Sequence, residues 1–166
     1  MTCKNCTIKP VWKFTNQTQL CKNCFIDYLE RKVFRTIRKY QMLPENREIT
    51  LKKDNSLNSA VLKSILEKKF QVKFSTKPNF SSENLSQVSE DAFSNIIKGN
   101  FAGKKPKDNI SRPLYFISDS EIELYAKFKS IKEKAREKNK KIHELFERFS
   151  KNPDLEHNIV NALLQL

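Results

Sequence analysis

The cysteines constrain this chain most. All four, Cys3, Cys6, Cys21 and Cys24, fall within the first 24 of its 166 residues, spaced C-x2-C-x14-C-x2-C. A two-residue gap lets two thiolates face one ion. The intervening "TIKPVWKFTNQTQL" is long enough for a short hairpin that joins the two pairs. Four thiolates fill a tetrahedral site and leave no position for water, so the spacing predicts a structural zinc. Two disulfides or a redox pair are the alternatives, and both fit poorly with an N-terminus lacking an apolar signal region. So small a segment has little core of its own, and metal binding should supply its folding energy.

Cys24 opens "CFIDYLERKVFRTIRKYQML", in which Phe25, Leu29, Val33, Ile37 and Tyr40 recur at three-to-four spacing. That stripe predicts an amphipathic helix near 24–42, ended by Pro44. After Glu30 its charged residues are all basic: Arg31, Lys32, Arg35, Arg38 and Lys39. A second basic run, "GKKPKD", contributes Lys104, Lys105 and Lys107. With 32 Lys+Arg against 19 Asp+Glu the net charge is +13, which favours a polyanionic partner, because each neutralised phosphate releases counterions. RNA is the partner these residues predict; a lysine-rich solubility surface is the bland alternative. No run approaches the ~18 apolar residues of a membrane span, so no membrane association and a cytoplasmic location are expected.

These residues carry a family resemblance. The doubled C-x2-C and "LCKNCFIDYLERKVFRTIRKYQML" resemble the amino-terminus of the tRNA 2-thiolation enzymes, the archaeal and eukaryotic cytoplasmic thiouridine synthetases that modify the wobble uridine. In that family an ATP-pyrophosphatase domain follows, opening with a strand and a Ser-Gly-Gly-x-Asp-Ser loop. Here "ITLKKDNSLNSAVLKSIL" has the strand–turn–helix layout, with Ser59 on the loop's last Ser and Asn55, Ser56, Leu57 and Asn58 over the rest. Both glycines are gone, and side chains in their place would crowd a phosphate. The chain's two glycines, Gly99 and Gly103, lie elsewhere, so ATP binding of this type is not expected. Ser56 as a plain helix N-cap explains the turn.

Downstream, "NLSQVSEDAFSNIIKGN" is similar to the family's acidic segment, but Ser86 and Gln87 occupy the two acidic positions. "RPLYFISDSEIELYAKFKSI" matches at Pro113, Leu114, Ile117, Glu121, Tyr125, Ala126 and Ile131, and "NPDLEHNIVNALLQL" resembles a terminal family helix. The resemblance skips a block between Phe74 and Phe80 where the enzymes have further strands and a catalytic cysteine. No cysteine stands outside the set of four, so a sulfur carrier, an iron–sulfur ligand and a second zinc knuckle have no counterpart in these 166 residues. His143 and His157 lack any catalytic constellation, and no catalytic residue can be named.

The expected architecture is α/β: a zinc knuckle and basic helix over 1–43, then a reduced ATP-pyrophosphatase-like domain over 44–166, the remnant of an adenine-nucleotide alpha-hydrolase-like fold. Strands are expected at 48–52, 70–74 and 113–116, and helices at 57–69, 84–98, 119–149 and after Pro153, with a basic linker over 100–113. A sheet so small leaves edges that want covering, which predicts a protein partner. The resemblance implies a catalytically inactive relative that binds tRNA or pairs with an active thiolation subunit. The alternative is a ribosome-associated protein gripping rRNA.

Overall fold

The apolar stripe Phe25, Leu29, Val33 and Ile37 is 0–3% exposed and forms the inner face of the longest helix. This computed structural model describes residues 2–14, 17–101, 103–149 and 154–165, with the backbone alone at Glu147. In chain order the elements are β1 (Trp12–Lys13), β2 (Gln19–Leu20), α1 (Lys22–Lys39), β3 (Ile49–Leu51), α2 (Leu57–Leu66), β4 (Val72–Phe74), α3 (Leu85–Ile97), α4 (Asp119–Lys129), α5 (Lys140–Arg148) and α6 (Leu155–Leu163).

β1 and β2 make an antiparallel hairpin, with Trp12 opposite Leu20. β3 and β4 are parallel, Ile49 opposite Val72 and Leu51 opposite Phe74, with α2 as their crossover. On the other side of β3 the sheet continues through single parallel bridges, Leu51 to Phe80 and Phe80 to Ser111. The fold is therefore mixed α/β with a small parallel sheet, as expected. One apolar cluster takes in Cys3, Cys21, the α1 stripe, β3, α2 and the inner face of α4; a smaller one joins Leu85, Val88, Tyr115 and Val160.

Three expectations need correction. α1 ends at Lys39, well before Pro44, because Gln41 turns left-handed (φ 48°) and the Met42 N–H reaches back to the Ile37 carbonyl at 3.0 Å. Residues 113–116 form turns, with Tyr115 N–H on the Arg112 carbonyl (3.1 Å) and Ile117 N–H on that of Leu114 (2.8 Å); pairing with the sheet is left to Ser111. The expected helix over 119–149 is two helices. α4 opens with a capping box between Ser118 and Glu121 and stops at Ser130, which is left-handed (φ 56°); residues 131–139 run without helix before α5. Arg136 in that stretch is drawn to two buried carboxylates, and the Lys134 carbonyl accepts the Leu57 N–H at 2.9 Å. Pro153, expected in the break before the last helix, lies outside the described residues.

Within the basic segment expected as a linker over 100–113, residues 104–112 are pinned to the rest of the fold. Arg112, buried, binds Glu83 (2.6 Å) and Asp108 (2.7 Å), and the Tyr115 hydroxyl donates to the Lys104 carbonyl at 2.8 Å. No helix among the described residues is long and apolar enough to cross a membrane.

Candidate metal centre and basic face

The hairpin does what the cysteine spacing asks of it. The Cys3 N–H donates to the Ile8 carbonyl (3.0 Å) and the Lys4 N–H to that of Gln19 (2.9 Å), folding the first C-x2-C pair against the second at the start of α1. Trp12 and Phe14 pack on Phe25 and Tyr28, with ring centroids 5.7 Å apart for Trp12–Phe25 and 4.9 Å for Phe14–Tyr28. All four Sγ atoms lie within 4.8 Å of one another; Cys6 and Cys21 are 3.5 Å apart, Cys6 and Cys24 3.8 Å. Cys3 and Cys21 are buried, Cys6 and Cys24 half-buried.

Four thiols so close cannot all ionise alone. A hydrogen bond with Cys21, followed by burial, pushes the Cys24 thiol up to about 12. Burial also acts to raise Cys3, but the backbone groups of Cys21 and Asn5 outweigh it and bring that thiol down to about 6. A cation at the centre would stabilise all four as thiolates, so the donor set fits a metal ion.

α1 carries the basic residues past this centre. Arg31, Arg35, Arg38 and Lys39 are exposed on its outer side. Arg31 pairs with Asp27 one turn earlier (2.7 Å), Lys39 Nζ lies 5.2 Å over the Tyr40 ring, and Arg35 and Arg38 make no ion pair among the described residues. Lys32 turns inward instead, its Nζ 3.0 Å from Glu121 Oε1, and joins α1 to α4. Of the second group, Lys104 is held between Glu83 and Asp91, Lys105 is exposed, and Lys107 donates to the Gln41 carbonyl, which sets it beside the end of α1.

Sequence reasoning missed a groove along this face. Arg31, Arg35 and Arg38 on α1 and Lys69 and Phe70 after α2 border a cavity of about 620 Å³, with Phe34, Ile37, Gln41 and Leu43 completing its lining. The signal was the run "KKF" at 68–70, which reads on its own as an ordinary helix end.

The altered nucleotide loop spends part of its hydrogen-bonding capacity within the chain. Asn55 is exposed, Ser56 half-buried, and Leu57, Asn58 and Ser59 are buried at the start of α2. The Ser56 Oγ accepts the Ser59 N–H (3.2 Å), while Asp54 Oδ1 accepts the Ser56 N–H (3.1 Å) and Oγ–H (2.7 Å). Asn58 Nδ2 donates to the Ser82 carbonyl (3.4 Å), and Ser59 Oγ donates to Ser82 Oγ (2.9 Å). A helix N-terminus attracts anions through free N–H groups; here those of Leu57 and Ser59 are taken, and the carboxylates of Asp54 and Glu83 line the cavity of about 420 Å³ above them. Arg136, on the same wall, is already bound to Glu90 (2.7 and 2.8 Å) and to Asp119 (2.7 Å). This buried network was invisible in the lysine-rich sequence around it. Ser86, at one of the altered acidic positions, accepts the Asp119 N–H (3.0 Å) and donates to Glu156 (2.9 Å), tying α3 to α4 and α6. Both histidines are half-buried, and burial lowers the His157 pKa.

No protein-family model matches the chain, and no curated protein matches it. Solved structures do. The U34-tRNA thiolase NcsA from Methanococcus maripaludis, with its 4Fe–4S cluster, superposes at a TM-score of 0.81 over 99% of this chain and 86% of that one, at 15% identity. At that identity the likeness is one of fold alone.

Proposed function

We propose that this is a zinc-bound, non-catalytic tRNA-binding protein on a thiolase-like fold, holding tRNA beside an active thiolation subunit in the cytoplasm. The observation that carries it is the outward row of guanidinium groups on α1, two of them without a carboxylate partner among the described residues, in a chain whose fold neighbour acts on tRNA. Zinc rather than a cluster is favoured by the sulfur spacing. Zinc–sulfur bonds of ~2.3 Å give a tetrahedron edge of about 3.8 Å, close to the 3.5 and 3.8 Å between sulfurs here. A four-iron cube carries each thiolate on its own corner and spreads the sulfurs further apart than these four lie. The absence of catalysis is supported by the Leu57 and Ser59 N–H groups already taken at the start of α2 and by the lack of any cysteine beyond the metal set.

The test is binding of an unmodified tRNA bearing a wobble uridine, followed against salt. The Arg35→Glu/Arg38→Glu double variant should lose about tenfold or more in affinity and show a log–log salt slope shallower by about two. Unchanged affinity and slope would remove α1 from the interface. ATP should yield no AMP with the isolated chain; turnover would overturn the non-catalytic reading.

A further inference from the structure

The groove beside α1 has a composition that phosphate contact alone does not require. Its rim is cationic, with Arg31, Arg35, Arg38 and Lys69, and no carboxylate among the described residues lines it. Its floor is apolar and aromatic. The rings of Phe34 and Phe70 lie 6.4 Å apart and inclined at 54°, both half-exposed, and Leu43 beside them is 38% exposed. Lys69 Nζ stands 4.4 Å over the Phe34 ring, placing one cation directly above the floor. Gln41, at the turn that ends α1, adds an amide able to donate and accept.

A duplex presents its phosphates on a convex surface with the bases stacked inside, so a flat row of arginines suffices for it. A concave floor of rings beneath a cationic rim suits a base that has left its stack, with its own phosphates held at the edge. At about 620 Å³ the groove falls within the ~300–1,000 Å³ range of sites that enclose a small ligand. Resting on the RNA reading above, we infer that the groove takes an unpaired nucleotide of a single-stranded RNA segment, a loop or an end. Its base lies against Phe70, at the edge of the Phe34 ring that Lys69 covers, and the flanking phosphates lie on Arg31, Arg35, Arg38 and Lys69. Phe34, Lys69 and Phe70 thereby become binding residues, and the chain distinguishes single strands from duplex.

The experiment is a fluorescence-anisotropy titration of the zinc-loaded full chain with a labelled oligouridylate and with a blunt RNA duplex of the same length. The single strand should bind more tightly. Phe70→Leu, which keeps the apolar volume and removes the ring, should weaken single-strand binding about fivefold or more while leaving duplex affinity and the salt slope unchanged. Phe70→Tyr should restore it. Phe34→Leu gives a second ring deletion, and thermal unfolding checks that each variant is folded. Equal binding of the two RNAs with Phe70→Leu inert, while tRNA binding still depends on Arg35 and Arg38, overturns the groove and leaves the tRNA reading standing. Single-strand binding that depends on Phe70, in a chain with no affinity for tRNA, supports the groove and removes tRNA as its target. Binding of neither RNA, with capture of an acidic peptide instead, overturns both.

Discussion

Arg136 is the one cation among the described residues paired with Glu90 and Asp119, the latter also accepting a hydrogen bond from Asn84 Nδ2 at 2.7 Å. Its guanidinium is 12% exposed, and the side chains of Glu90 and Asp119 are 9% and 11% exposed, so removal of the cation strands both anions. Breaking a buried ion pair from one side costs about 3 kcal/mol or more. Arg136→Ala should therefore unfold at markedly lower denaturant, and adding Glu90→Gln should recover part of the loss. A change under ~1 kcal/mol would mean that water screens the cluster. At this scale the sequence was legible where chemistry is local: the cysteine spacing, and Ser56 as a cap, are readable from neighbours. Lys32 and Arg136 were not, because their partners Glu121, Glu90 and Asp119 lie far along the chain. A basic residue looks the same in a sequence whether it faces water or a buried acid.

Among the elements, helix starts were read better than helix ends. The stripes of α1 and α2 and the caps of α3 and α4 follow from periodicity and hydroxyl or amide side chains. The ends of α1, α3 and α4 turn on single left-handed residues, Gln41, Gly99 and Ser130, and of these only the glycine announces itself in a sequence. Gly99 (φ +75°) closes α3, with its N–H on the Ile96 carbonyl at 2.9 Å and that of Asn100 on Asn95 at 2.9 Å. Ser130 does the same for α4 with a side chain in place (φ 56°). A Cβ at Gly99 would meet nothing, so Gly99→Ala isolates the backbone cost, about 1 kcal/mol of destabilisation. Ser130→Gly should gain a similar amount by the same reasoning. Chemical unfolding checks both, and two changes of the same sign would show that the helix ends are not held this way. The expected strand at 113–116 fails for a separate reason: Pro113 has no N–H to donate to a ladder, and the structure buries Leu114 and Tyr115 through turns.

Over the whole molecule the metal centre and the α/β part share one core. Cys3 and Cys21 belong to the same apolar cluster as Leu62 in α2 and Tyr125 in α4. Removing the metal should therefore weaken the entire fold rather than free an independent knuckle. Chelation is expected to lower the midpoint of a single thermal transition by about 10 °C or more, the loss of a few kcal/mol. A separate early transition confined to the N-terminus, with the rest unmoved, would contradict that coupling. The plan of the fold was legible because the doubled C-x2-C spacing, a long amphipathic helix and a strand–turn–helix unit are local patterns. The basic groove was not, since it forms only when the end of α2 is brought against α1.

On the proposed reading the fold holds tRNA and does no chemistry on it. The most direct measurement is crosslinking of the tagged protein in its own cells, followed by sequencing of the attached RNA. Enrichment of tRNAs with a wobble uridine, those for Lys, Glu and Gln above all, with crosslinked sites in loops or ends, is the predicted result. Enrichment of one ribosomal RNA site, or no RNA above background, would contradict it.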